Sequence, residues 1–450
     1  MTRRKTRCAC LSVLLCLAAA APLIAAEAVR PLSLRESIDS ALERSVLVHA
    51  SQEGVRGAEA HQREAFTGFL PRFSTSYSYT RYNRDPYLAF PGIPPAIPPA
   101  TLTVGTKDNY TWIVEARQPL FSGGTILANY EASRTGTEIA RFDEAAATQD
   151  LVLEVRTAYF SVLKAERILE VALQSLAQLQ AHRDTARSFF EHGMIPRNDL
   201  LVAEVELANG RQFLLRADNG LEIARSRFNT LLRRPINTPV AIVDDMADRP
   251  YTKSIDDCIA AALERRPEIR AFALRREQAG SQVKAARGEY YPSVSLVGNY
   301  AKFGDTPGVS GSPFRDQESW YVMAVATWNF WEWGKTRHRV AAVTSRENQA
   351  ADLLANIRDQ VVFEVKSAFL RLHEAAKQIQ VAATAIEQAE ENFRISSERY
   401  REQVGTATDV IDAQTLLTRA KADRNTALGD FNINLARLER ATGSSWRETH

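Results

Sequence analysis

The chain repeats itself, and the repeat limits what it can fold into. Ala41-Leu42-Glu43-Arg44 returns as Ala262-Leu263-Glu264-Arg265, and Pro71 returns as Pro292, both at a spacing of 221. Farther along the spacing is 210: Glu154, Val155 and Ala158 recur as Glu364, Val365 and Ala368, Asp199 as Asp409, and Arg227 as Arg437. Each block aligns without a gap, so the 11-residue difference falls between Pro71 and Gln118. Such a period predicts two equivalent halves, residues 27–247 and 248–450, with one segment whose length is free to vary.

Ahead of the repeats, Arg3, Arg4, Lys5 and Arg7 precede an apolar stretch through Leu23 and the small residues Ala25 and Ala26. This is the pattern of a secretory signal peptide over residues 1–26. Neither Cys10 nor Cys16 has the residues before it that lipidation requires. Cys8, Cys10 and Cys16 leave with the leader, and Cys258 is then without a disulfide partner. Losing the four leader cations from 56 leaves 52 against 54 acids, a net charge of −2. That balance suggests neither a nucleic-acid partner nor a polybasic membrane anchor. Outside the leader no apolar run reaches the roughly 20 residues of a membrane-spanning helix. A membrane crossing by this chain would therefore require a closed β-barrel.

Proline marks out the elements. None occurs between Pro119 and Pro196, and none after Pro313. Proline breaks helix interiors, so these gaps permit very long helices. Thr125 to His192 is rich in Ala, Leu, Glu, Arg and Gln, with Leu151, Val155, Ala158, Val162 and Leu169 at helical spacing, and Lys335 to Glu402 repeats it. As one helix each would run about 100 Å and need coiled-coil neighbours. Shorter helices are expected near Asp199–Leu232 and Asp409–Thr442. Each half also opens with a helix, started by Ser33-Leu34-Arg35-Glu36 and Ser254-Ile255-Asp256-Asp257 in capping-box form and ended before Pro71 and Pro292.

Between the helices, apolar and polar residues alternate in four strands. Phe73, Thr75, Tyr77 and Tyr79 share one face, and Trp112, Val114 and Ala116 share another. In the second half the faces are Val294, Leu296, Gly298 and Tyr300, with Val297 out of pattern, and Trp320, Val322, Ala324, Ala326 and Trp328. The expected hairpins span about 71–121 and 292–331, with loops at about 84–108 and 304–317. Such alternation suits a water-soluble sheet as well as a transmembrane one. Five of the six tryptophans (Trp112, Trp320, Trp328, Trp331 and Trp333) fall in or beside strands, which favours a membrane girdle. Four strands cannot enclose a lumen, so such a chain would oligomerise to finish its barrel.

The order of elements resembles the TolC family of outer membrane channels. The likeness is carried by Leu32-Ser33-Leu34-Arg35-Glu36-Ser37-Ile38 and Pro119-Leu120-Phe121-Ser122-Gly123-Gly124. Gly193-Met194-Ile195-Pro196-Arg197-Asn198-Asp199-Leu200-Leu201 and Asp409-Val410-Ile411-Asp412-Ala413-Gln414 add to it, and it covers the whole chain after the leader. It implies a mainly α fold with a transmembrane β contribution: a homotrimer in which three protomers give four strands each to a twelve-stranded barrel standing on a long periplasmic α-helical barrel. It also implies an outer membrane exit duct of an efflux or type I secretion system in a Gram-negative bacterium. The partners would be a periplasmic adaptor, an inner-membrane pump of RND, ABC or MFS class, and outer membrane lipid.

In that family, carboxylates on the second repeat's inner helix line a constriction at the periplasmic tip, and Asp409 and Asp412 match the motif. Three copies would set six acidic groups around the axis, favouring cations and repelling one another. The first repeat keeps Asp199, a secondary tip residue, but has Val202 at the second position. A purely structural role also fits, with Asp409 capping a helix N-terminus and Asp412 in its first turn. Two departures stand out: Gln403 replaces the tip-turn glycine kept as Gly193, and Gly405 stands where some members place a latching basic residue.

Enzyme motifs fail on their residues. Gly334-Lys335-Thr336 mimics the end of a P-loop, but Asn329 stands at the required glycine. His182 and His192 lack companions at metal-ligand spacing and are expected to be solvated helix histidines. His373-Glu374 lacks a second histidine, and no Gly-x-Ser-x-Gly occurs. No catalytic residue, cofactor or metal site is expected. The alternatives to a duct are a periplasmic adaptor, which would have one helical hairpin between β-domains, a stand-alone porin, or a soluble structural coiled coil.

Overall fold

The computed structural model describes residues 30–248 and 250–444, so the expected leader lies outside the described residues. The first half runs α1 (Leu34–Arg44), α2 (Val46–Thr67), β1 (Arg72–Arg81), β2 (Tyr87–Phe90), β3 (Ala100–Thr103), β4 (Asp108–Phe121), α3 (Thr125–Glu191) and α4 (Arg197–Leu231). The second runs α5 (Ile255–Arg265), α6 (Pro267–Gly288), β5 (Ser293–Gly304), β6 (Glu318–Thr327), α7 (Lys335–Arg401) and α8 (Ala407–Ala441). Corresponding helices have equal lengths of 11, 22, 67 and 35 residues.

Both opening helices begin with the expected capping boxes, Ser33 with Glu36 and Ser254 with Asp257. Each is broken in two, however, where one continuous helix was expected. Ser45 is extended (ψ 122°), and its side chain accepts a hydrogen bond from the Val48 amide to start α2. Arg266 is extended at the matching place (ψ 125°), because Pro267 begins α6 and disfavours the helical region for the residue before it.

The cores sit mid-way along the long helices. Leu34 and Ile38 of α1 pack with Val155, Tyr159 and Val162 of α3 and Phe228 of α4. Cys258 of α5 packs with Val365 and Leu372 of α7 and Phe431 and Leu438 of α8. The two clusters correspond at the 210 spacing: Val155 with Val365, Val162 with Leu372, Phe228 with Leu438. The buried Tyr159 hydroxyl donates to the Val243 carbonyl at 2.5 Å, tying the linker to the first core. Towards the far end of α3 the buried stripe thins to Ser175, Leu179 and Ala186, the narrow seam of a coiled coil. The arms are therefore held mainly by their middles.

A network of charged side chains joins the halves at the level of the cores. Arg156 of α3 pairs with Glu439 of α8. Arg440 binds Asp150 at 2.8 Å and Glu268, and Arg266 binds Glu268 at 3.0 Å and Glu364. Burial alone would raise the Glu268 pKa, but hydrogen bonds from Arg266 and Arg440 lower it to about 2.

At the other end lies one antiparallel sheet in the order β1-β4-β5-β6. Its register preserves the repeat: Phe73 pairs with Ala116 and Val294 with Ala326, Thr75 with Val114 and Leu296 with Ala324. Across the central pair, Val114 faces Tyr300 and Ala116 faces Gly298. Directly opposed residues share a face, so the four apolar faces read along the strands merge into one. The opposite face carries Ser74, Ser76, Thr111, Glu115, Ser295 and Asn299, with Val297 buried among them. Both edge strands, β1 and β6, have one neighbour each within the chain.

The proline-rich loop contains a hairpin that proline content did not suggest. Tyr87-Leu88-Ala89-Phe90 pairs with Ala100-Thr101-Leu102-Thr103, and the prolines stay out of both strands, Pro86 before the first and the other five in the connection. Among the described residues, no helix is long and apolar enough to cross a membrane.

Candidate functional site

The end of the helical arms opposite the sheet is built from two equivalent turns. After α3, the Gly193 amide donates to the Phe190 carbonyl and the Met194 amide to Phe189; after α7, Gln403 donates to Tyr400 and Val404 to Arg399. Both are Schellman closures, which place one residue in the left-handed region. Gly193 takes it at φ +74°, and Gln403 is forced to φ +61°. A side chain there costs about 1 kcal/mol relative to glycine. The Gln403 side chain returns a weak contact, donating to Met194 Sδ at 3.1 Å and joining the two turns.

Asp409 and Asp412 are both exposed on α8 directly after this turn. Thr406, not Asp409, is the N-cap: its hydroxyl accepts from the Asp409 amide at 3.2 Å, while Asp409 Oδ2 accepts from the Thr406 amide at 3.0 Å. The helix starts earlier than aspartate placement alone suggested, because threonine supplies the capping oxygen. Asp412 consequently lies in the second turn. The hydrogen bonds from Thr406, helped by the Arg399 charge, hold the Asp409 carboxyl below its ordinary pKa, so it stays ionised. Asp199 occupies the matching place in the first turn of α4 and is half-buried. At Gly405 the backbone runs beside Arg399 and Tyr400, and an added Cβ would lie 3.2 Å from Arg399 Cβ. Arg399 itself donates to the Val404 carbonyl at 3.3 Å.

Behind the aspartates, Tyr400 is buried with Ala407 and Val410, and Phe189 packs against them. Its ring lies 5.6 Å from Phe189 and 5.1 Å from His182. Burial, and then the charge of Asp199, push the Tyr400 phenol above its ordinary value. His182 is thus not the solvated histidine expected: it is half-buried, and burial lowers its pKa. Its place was legible in the spacing Ser175, Leu179, His182, Ala186, which alternates four and three along the seam. His192 is exposed, 2.7 Å from the Ser188 carbonyl through Nδ1. Nothing in the sequence marked Tyr400, whose role depends on which helices meet.

Among the described residues no cluster of three or more His, Cys, Asp or Glu side chains could hold a metal ion. Gly334 is a left-handed N-cap of α7, as Gly124 is of α3, so the P-loop mimic is a helix-starting turn. Cys258 is free and buried, 3.2 Å from the Tyr251 hydroxyl. The arrangement is a sheet whose strands share an apolar face, a pair of long helical hairpins and a tip that carries Asp409 and Asp412.

Residues 37–232 and 258–444 match the family described as outer membrane efflux protein. The chain belongs to that family. It is 22% identical to Nodulation protein T of Rhizobium leguminosarum bv. trifolii over 337 residues, 73% of this chain and 70% of the relative. It is also 22% identical to the probable efflux pump outer membrane protein SepC of Pseudomonas putida over 431 residues, 92% of this chain and 83% of the relative. The solved structure of the outer-membrane channel OprN superposes with a TM-score of 0.79 at 20% identity, covering 92% of this chain and 90% of that one. The fold is that of TolC-like outer membrane channels, and the protein is an efflux channel of the outer membrane.

Proposed function

We propose that three copies of the chain form a passive exit duct, completed when β1 of each protomer pairs with β6 of the next. The observation that carries this is the four-stranded sheet whose edge strands each have one neighbour within the chain and whose strands share a face with Phe73, Val114, Ala116, Trp320 and Val322. An isolated sheet of this kind exposes unpaired edge groups and apolar surface, whereas twelve strands close into a barrel without edges whose apolar band lipid covers. The apolar face would meet lipid, and Trp328, Phe330, Trp331 and Trp333, all exposed beside the end of β6, would lie at the headgroup level. The loops at about 84–108 and 304–317 would then face outside, and α3–α4 and α7–α8 would reach into the periplasm towards an adaptor and an inner-membrane pump.

Asp409 and Asp412 from three copies would line the constriction and select for cations, with Asp199 in a secondary place. Capping by Asp409 is compatible with this, since an N3 carboxylate remains free to face an axis. No catalytic step is assigned to the protein. An adaptor would have a single helical hairpin, and this chain has two. In planar bilayers the Asp409→Ala/Asp412→Ala trimer should lose most of its cation preference and conduct no less than wild type. Unchanged selectivity would remove both residues from the constriction. A stand-alone porin is tested by deletion: a duct's loss abolishes export and leaves general permeability unaltered.

A further inference from the structure

Behind the tip turns, α3, α7 and α8 line an open-sided cavity of about 200 Å³ with Gln178, His182, Thr185, Ser397, Tyr400 and Val410. Three buried polar atoms around it have no hydrogen-bond partner: His182 Nε2, Ser397 Oγ and Tyr400 Oη. Each such group forgoes the hydrogen bond it would make in water, so this level of the bundle is held less firmly than the cores. His182 closes one wall by packing its ring 5.1 Å from that of Tyr400.

The residues lining the cavity include no carboxylate to neutralise a proton on His182. From α7 the cavity receives Tyr400 and the cationic Arg401; from α8, Val410. Gln414 of α8 is engaged with Gln178, and on the histidine's own helix Arg183 lies beside Asp184. The Asp199 carboxylate of α4 acts on Tyr400, while His182 responds to burial alone. An imidazolium here would be partly desolvated, beside a guanidinium, and without a carboxylate.

We propose that His182 makes the periplasmic tip proton-responsive: as neutral imidazole it packs α3 against α7, and its protonation at mildly acidic pH loosens them. Burial holds the packed imidazole below its ordinary value of 6.5, and loosening returns it to water. The loosened form therefore binds more protons, and the packed form loses stability as pH falls through the ordinary histidine range. Three protomers would each contribute one such group. In the duct this would couple opening to acidification of the periplasm, an extension that rests on the tip being the constriction.

The test compares wild-type trimers with His182→Gln, which keeps a polar side chain without titration, and with His182→Phe, which fills the site, at about pH 7.5 and about pH 5.5. Two quantities are read: bilayer conductance, and deuterium uptake of the tip segment 178–196 normalised at each pH to the intrinsic amide exchange rate. Wild type should show a several-fold rise in uptake and conductance at the acidic pH, and the variant that assembles should lose that rise. A rise of equal size in wild type and variants, or no rise in wild-type uptake, overturns the role of His182. Uptake that responds while conductance stays constant upholds the histidine switch and instead counts against the tip as the constriction.

Discussion

Two buried guanidiniums meet on the Glu268 carboxylate, and replacing it tests how much the charged network contributes to folding. The Arg266 and Arg440 side chains are only 7% and 6% exposed. Glu268→Gln keeps the shape and removes the charge, leaving Arg266 with Glu364 and Arg440 with Asp150, both carboxylates at least half exposed. Breaking a buried pair outright costs about 3–5 kcal/mol; with these partners retained the loss should be near the lower end. The pKa of about 2 against an ordinary 4.5 leads to a similar figure. At about 1.4 kcal/mol per unit it is worth about 3 kcal/mol, reduced to about 2 by partial contact with solvent.

The sign follows from the depressed value. The folded state binds the Glu268 proton less readily than the unfolded state, so this contribution is complete above about pH 5 and fades as pH falls towards 2. The assay is urea unfolding of detergent-solubilised protein followed by the helical circular dichroism signal, from neutral pH downward. Wild type and Glu268→Gln should differ by about 2 kcal/mol near pH 7 with equal slopes, and converge as the carboxylate protonates. A gap that does not narrow in acid would refute the ionic origin, and no gap at all would mean that the network adds nothing to folding.

Three further outcomes follow from particular residues. Gln403→Gly relieves the left-handed strain after α7 and should stabilise the tip by up to about 1 kcal/mol, read as lower deuterium uptake around residue 403. Leu372→Ala opens a cavity in the second core and should cost about 2–5 kcal/mol in urea unfolding, far more than Leu370→Ala on the exposed face of the same helix. Tyr400→Phe removes a buried hydroxyl that has no partner and should leave thermal stability unchanged or slightly raised. A clear loss would show that the hydroxyl is bonded in the assembled protein.

Much of this molecule was legible along the chain because its elements obey one-dimensional rules. Composition and helical spacing inside the proline-free stretches placed α3 and α7 to within a residue. The period-two alternation assigned the strand faces, and the offsets of 221 and 210 reappear as matching pairs in the two hairpins. The tip turn was visible too, since the turn before Asp409 and Asp412 has an equivalent spelled out in the first half. These features depend on backbone sterics and on side chains a few residues apart.

What tertiary structure alone decided involves residues that meet across long separations. Arg156 finds Glu439 and Arg440 finds Asp150 and Glu268 only because α3, α6 and α8 converge, and no local pattern encodes that choice. The break at Ser45 has weak local causes and takes effect because Val48 and Ile38 are both drawn into the first core. The seam position of His182 is legible in its spacing, but only when α7 brings Tyr400 against it does its titration matter to the fold. Local rules determine which segments are helix and which are strand, but burial, and with it the free energy of every charge, depends on what the rest of the chain places opposite.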